Sequence, residues 1–299
     1  MRMWNRIRNS FAGVGAALLA LAMPAAAEAR SARPAMWKVA DADTSIYLFG
    51  TVHLLPPNYQ WRTRTFDRAA NEAGTLVVET IVDETNPALF AALLARMSIT
   101  PGLPPILDRV KPSKRAALQA TIAKSRIPQA ALDRMETWAA AFALLQLQFA
   151  ELGVSGGDGV ESGLKKAFAS AGKPVEQLET NAEQLSFFDT LPEGAQRELL
   201  EGAIEQPAKV KKQFDSMLKA WVSGDVEAIG RTFNSEFKDS PELRDALLRR
   251  RNANWARWLE SRMAKPGTVL VAVGAGHLAG SDSVIAMLKK RGLKVRRVQ

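Results

Sequence analysis

The chain contains two histidines, His53 and His277, and each follows an apolar, strand-like run at the end of a Gly-x-x-His step. The first lies in "IYLFGTVHLL" from Ile46 and the second in "TVLVAVGAGHLAG" from Thr268, while "TLVVET" from Thr75 carries Glu79 at the end of another short apolar run. In open α/β sheets the reactive groups gather beyond the carboxyl ends of the strands, because the loops there share one crevice. If these three runs are parallel strands, His53, Glu79 and His277 converge. Two imidazoles and a carboxylate are a familiar ligand set for a divalent metal such as Mn, Co or Zn, with a position left open for water or substrate. Hydrolysis is the natural reaction of such a centre, since the metal lowers the pKa of a water and polarises a carbonyl. Gly50, Gly274 and Gly276 suit it as points of tight exit and close backbone approach. Taken singly, either histidine reads more often as a hydrogen-bonded structural residue, and Glu79 as a capping or ion-pair carboxylate. The repeated context is what lifts the pair above that reading.

Two other motifs compete for the same stretches. "GAGHLA" from Gly274 fits the permissive dinucleotide fingerprint, but the strand after it ends in "VRRVQ" without the acidic residue that would hold a ribose, which argues against a nicotinamide cofactor. "GVSGG" from Gly153 matches the nucleophile elbow in letters only, because Ser155 follows the helical "AFALLQLQFAEL" where the elbow needs a strand. A loop beside the site is the better reading there, with Asp158 as a polar contact.

These residues have to be positioned by the elements around them. "MWKVADADTSIYLFG" reads as a hairpin, Thr63 to Glu72 as a helix, Thr75 to Val78 as a short buried strand, and "KPVEQLET" from Lys173 as a further strand and exit loop. From Asn86 to about Lys265 the pattern is otherwise mostly helical, and the chain closes with strand, loop, helix and strand. The expected fold is α/β: a mixed central sheet formed by N- and C-terminal strands, flanked by helices, with a large helical insertion over about 86–265. Both histidines are expected in loops outside the core.

Composition bounds the class. The 299 residues are 47% hydrophobic and 24% charged, enough for a full core and far from disorder. Arg2, Arg6 and Arg8, the apolar run Phe11 to Met23 and "PAAAEA" read as a signal peptide over residues 1–27, leaving a single domain over 28–299. No later run is apolar and long enough to span a bilayer, so a periplasmic or secreted protein is expected. The absence of cysteine excludes disulfides and thiolate catalysis. The net charge of +9 falls to +6 without the three signal arginines, and the remaining basic residues are spread along helices. That distribution gives no nucleic-acid motif and leaves anionic envelope polysaccharide as a possible partner.

Together these segments resemble the TraB/GumN family, which includes the Tiki-type metalloproteases: "LFGTVHLLP", "LVVET", "GKPVEQLETNAEQLSFFDTL" and "VGAGHLAG" stand in the family's order across nearly the whole mature chain. The resemblance implies an α/β fold and, as in the Tiki-type members, metal-dependent proteolysis of a peptide or protein substrate by His53, Glu79 and His277. "RRRNANW" is similar to the family's Arg-Asn segment and makes Arg251 and Asn252 candidates for contacts to ligands or substrate, as the middle motif does Glu179 and Gln184. The expectation is therefore an exported metal-dependent hydrolase, a peptidase using an activated water. The alternative is a non-enzymatic metal- or ligand-binding accessory protein of an envelope or exopolysaccharide pathway.

Overall fold

The protein is described by a computed structural model covering residues 32–299, save 57, 58, 84, 154–158 and 239. The expected signal segment 1–27, Ser155 and Asp158 lie outside the described residues.

The expected hairpin is present. Strand β1 (Met36–Ala40) pairs antiparallel with β2 (Thr44–Thr51), and Asp41 turns the chain between them, its carboxylate accepting the backbone N–H groups of Asp43 and Thr44. Helix α1 (Arg64–Glu72), capped by the Thr63 hydroxyl, leads to β3 (Thr75–Val78). Then come α2 (Pro87–Met97), α3 (Arg115–Ser125), the single turn α4 (Gln129–Leu132), α5 (Thr137–Glu151) and α6 (Val160–Ser170). Strand β4 (Val175–Gln177) is followed by α7 (Asn181–Asp189), α8 (Glu193–Gly202), α9 (Pro207–Ser223) and α10 (Val226–Glu236). The short α11 (Pro241–Arg244), a π-helical turn (Asp245–Arg249) and α12 (Arg250–Arg262) run on to β5 (Gly267–Gly274), α13 (Val284–Lys290) and β6 (Val295–Arg297).

The six strands form one mixed sheet in the order β4-β3-β5-β2-β1-β6. β2, β5, β3 and β4 are mutually parallel, whereas β1 runs antiparallel to β2 and β6. Both faces are covered, so the central strands are continuous apolar runs rather than alternating ones. Tyr47, Phe49, Leu76, Val78, Leu270 and Ala272 point to one face, against α1, α6, α9 and α10. Ile46, Leu48, Val77, Val269, Val271 and Val273 point to the other, against α12 and α13. A separate helical core packs Leu118, Leu132, Leu144 and Leu200 together. Within the stretch read as a helical insertion, β4 adds an edge strand and Val160, Leu164 and Phe168 of α6 pack into the sheet. Among the described residues no helix is long and apolar enough to cross a membrane.

Candidate functional site

Parallel pairing does to the three motif residues what the spacing implied. In the registers of β2 with β5 and of β3 with β5, Thr51 stands opposite Gly274 and Val78 opposite Ala272, so all three strands end at one edge of the sheet. Glu79 follows β3 by one residue, His53 follows β2 by two and His277 follows β5 by three. Gly274 lies at their centre: a Cβ built there would stand 3.2 Å from Glu79 Oε1, 3.6 Å from His53 Nε2 and 3.6 Å from His277 Cδ2. Any other residue at 274 would occupy the space the three side chains share.

His277 is buried on the 3₁₀ turn Ala275–Leu278, its ring 4.4 Å from that of Trp255. This corrects the expectation that both histidines lie outside the core, because the turn folds His277 back against α12 instead of projecting it from a loop. Its protonation follows from its partners. Asn252 Nδ2 donates to the Asp282 carbonyl at 2.7 Å, which aims Oδ1 at His277 Nδ1, 2.6 Å away. Nδ1 must therefore carry the proton, and the lone pair of Nε2 faces Arg251 Nη1 at 3.3 Å. Burial, aided by Arg251 and His53 and opposed by Glu79, holds the pKa of His277 down to about 3, so the ring is neutral.

Glu79 is buried and fully engaged. Oε1 accepts the Gly274 N–H at 2.8 Å and lies 3.8 Å from His277 Nε2, while Oε2 accepts from Arg251 Nη2 at 2.7 Å and from Gln184 Nε2 at 3.3 Å. Burial opposes its ionisation, yet the surrounding His277, Arg251 and His53 and the Gly274 N–H hold its pKa down to about 2. With His277 neutral, the guanidinium is the counter-charge that matters. Arg251 also forks onto Glu179, whose Oε1 accepts from Trp255 Nε1 at 2.9 Å. Burial opposes the charge of Arg251 as well, but the two carboxylates raise its pKa. Burial pushes Glu179 upward against the pull of Arg251. Arg251 is thus shared between two buried carboxylates, Glu79 and Glu179.

His53 stands apart, with a side chain 65% exposed at the rim. Its Nδ1 is 2.8 Å from Glu161 Oε1, and Glu161 also accepts a short hydrogen bond from the Thr51 hydroxyl. Crowding by protein opposes protonation, but Glu161, with Glu79 behind it, raises the pKa of His53 to about 9. Nε2 is left facing Gly274.

Arg251, Asn252, Glu179 and Gln184, expected as contacts to ligands or substrate, all pack around Glu79 and His277. Gly50 and Gly276 are close-approach points: a Cβ at Gly50 would stand 3.2 Å from Ala275 Cα, and one at Gly276 only 2.4 Å from Phe233 Cζ. Glu161, Thr51 and Trp255 went unnoticed. Glu161 is the second residue of α6, where an acidic side chain reads simply as a partner of the helix dipole. Trp255 had a visible signal: Arg251, Trp255 and Leu259 recur every four residues, the spacing of one buried helix face.

Of the three residues expected to hold a metal, His277 and Glu79 lie close enough to share one ion, and both are in contact with the Arg251 guanidinium. His277 Nε2 carries a lone pair, Glu79 is ionised, and their 3.8 Å separation is within reach of one ion with bonds of about 2 Å. Among the described residues no three His, Asp or Glu side chains are already gathered into a ligand cluster, since His53 is held at the rim by Glu161.

A mixed α/β sheet whose central parallel strands end in two Gly-x-x-His turns and a glutamate defines a class of protein, and whole-chain comparison agrees with it. The pattern of the TraB/PrgY/gumN family matches residues 35–297, and the chain belongs to that family. Among its relatives, YbaP of Escherichia coli (strain K12), described as an uncharacterized protein, is 25% identical over 243 residues, covering 81% of this chain and 87% of the relative. An uncharacterized protein of Treponema pallidum (strain Nichols) is 24% identical over 281 residues, covering 86% of this chain and 80% of the relative. No solved structure matches.

Proposed function

We propose that this protein is an exported, metal-dependent hydrolase acting on peptide bonds, with His53, Glu79 and His277 as the residues that hold the metal. One observation supports the reading: side chains from three separate strand ends border Gly274, with His53 at the rim of the buried His277–Glu79 pair. A divalent cation there would supply Lewis acidity and a water of lowered pKa. The chain's own residues prepare that position. Asn252 fixes the tautomer that presents the Nε2 lone pair of His277, a role typical of partners that orient metal-ligating imidazoles. Glu161 turns His53 so that Nε2 faces inward, and His53, protonated at neutral pH without metal, must lose its Nε2 proton to serve as a ligand. Arg251 and the Gly274 N–H keep Glu79 ionised at neutral pH, and Gln184 limits its rotation. Incubation of the purified protein with a peptide library in Mn, Co or Zn tests the reading by mass spectrometry. Cleavage that requires metal and vanishes in His53→Ala supports it. Metal binding without cleavage supports the ligand-binding accessory protein instead.

A further inference from the structure

Beside the histidines lies a cavity of about 300 Å³ whose walls are almost entirely apolar. Phe149 of α5, Phe214, Met217 and Leu218 of α9, and Phe233 of α10 line it from the helices, and Thr51, His53 and His277 from the strand ends. All five apolar residues are half-buried and line the cavity. The wall is built on purpose at one point: Gly276 lacks the Cβ that would strike the Phe233 ring, and this lets α10 lie directly on the turn that carries His277.

We propose that this cavity binds one large apolar side chain of an extended peptide, of Phe, Leu or Met type, and so selects the residue beside the bond presented to the histidines. This inference rests on the hydrolase reading for the chemistry, and on the cavity for the specificity. The volume sits at the lower end of the range of about 300–1,000 Å³ for ligand pockets, room for one large side chain together with its own backbone amide. An occupant must also be apolar at one end and polar at the other. An amino-acid residue has that form: its side chain lies among the phenylalanines while its amide reaches His53 and His277. Polar side chains are disfavoured because the apolar walls offer them no hydrogen-bond partner.

Binding can be read without turnover. Untagged ¹⁵N-labelled protein is titrated by NMR with N-acetyl-phenylalaninamide, N-acetyl-leucinamide, N-acetyl-serinamide and octanoate. The phenylalanine and leucine amides should bind at least tenfold more tightly than the serine amide and shift the signals of Val52, Leu54 and Leu218. Phe214→Asp and Phe149→Asp, each at a half-buried position, should each weaken the phenylalanine amide about tenfold while thermal unfolding shows the protein still folded. Equal affinity for the serine amide, unchanged affinity in both variants, or octanoate as the tightest ligand overturns the proposal. The two readings fail separately: apolar amides bound as expected with no peptide ever cleaved would remove the hydrolase and keep the pocket, whereas cleavage without preference for apolar residues would do the reverse.

Discussion

Because His277 is buried under Trp255 with Nδ1 tied to Asn252, while His53 stands at the surface against Glu161, the two imidazoles should titrate far apart. A chain with two histidines makes this directly measurable. In metal-free, untagged protein, ring NMR signals of His53 should titrate near pH 9 and those of His277 should stay neutral down to about pH 3. The consequences for stability have opposite signs. His53, raised above its unfolded value of 6.5, stabilises the fold fully below that pH and loses its contribution as pH rises through about 9. His277, lowered, makes the folded state resist a proton that the unfolded chain accepts, so its influence destabilises the fold as pH falls from 6.5 towards 3. Both rings titrating together near 6.5 would contradict the described partners. Arg251 gives a second residue-scale prediction. Arg251→Ala leaves Glu79 and Glu179 buried without a counter-charge, and breaking such a buried pair costs about 3–5 kcal/mol, readable by urea unfolding. Arg251→Lys should recover only part, because an ammonium cannot reproduce the fork onto Glu179. A loss below about 1 kcal/mol in the alanine variant would mean that the network is not shielded from solvent.

At the scale of elements, Gly276 couples α10 to the His277 turn. Gly276→Ala should destabilise the protein by about 1–3 kcal/mol, as overpacking does, and Phe233→Leu in the same chain should recover most of that loss. Additive losses in the double variant would show that the two positions do not touch. The central strands were legible in sequence, because strands buried on both faces leave continuous apolar runs such as "IYLF" and "VLVAV" and the Gly-x-x-His steps mark their ends, whereas their order in the sheet was not. The buried side of α12 was half legible: resemblance pointed to Arg251 and Asn252, and helical spacing would have added Trp255. Glu161 was not, since its partner His53 is more than a hundred residues away and nothing local distinguishes it from an ordinary first-turn acid. The burial of His277 was equally hidden, because a 3₁₀ turn and a projecting loop have the same sequence signature.

On the scale of the whole molecule, the site joins segments that are remote in the chain: β2 and His53 near its start, β3 with Glu79, and β5 with His277 near its end, all adjacent only because the sheet brings them together. An ion held by all three would bind the folded chain and not the unfolded one, and would stabilise it by about 2.7 kcal/mol at a concentration a hundredfold above Kd. The most direct measurement is therefore metal titration of the purified protein by calorimetry, paired with thermal unfolding, for the native chain and for His53→Ala, Glu79→Gln and His277→Gln. One ion per chain and a metal-dependent rise in Tm are expected, with loss of both in each variant and with His53→Ala the least damaged in the absence of metal because it alone is exposed. Full stoichiometry and an undiminished Tm shift in any one of the three variants would contradict the shared site.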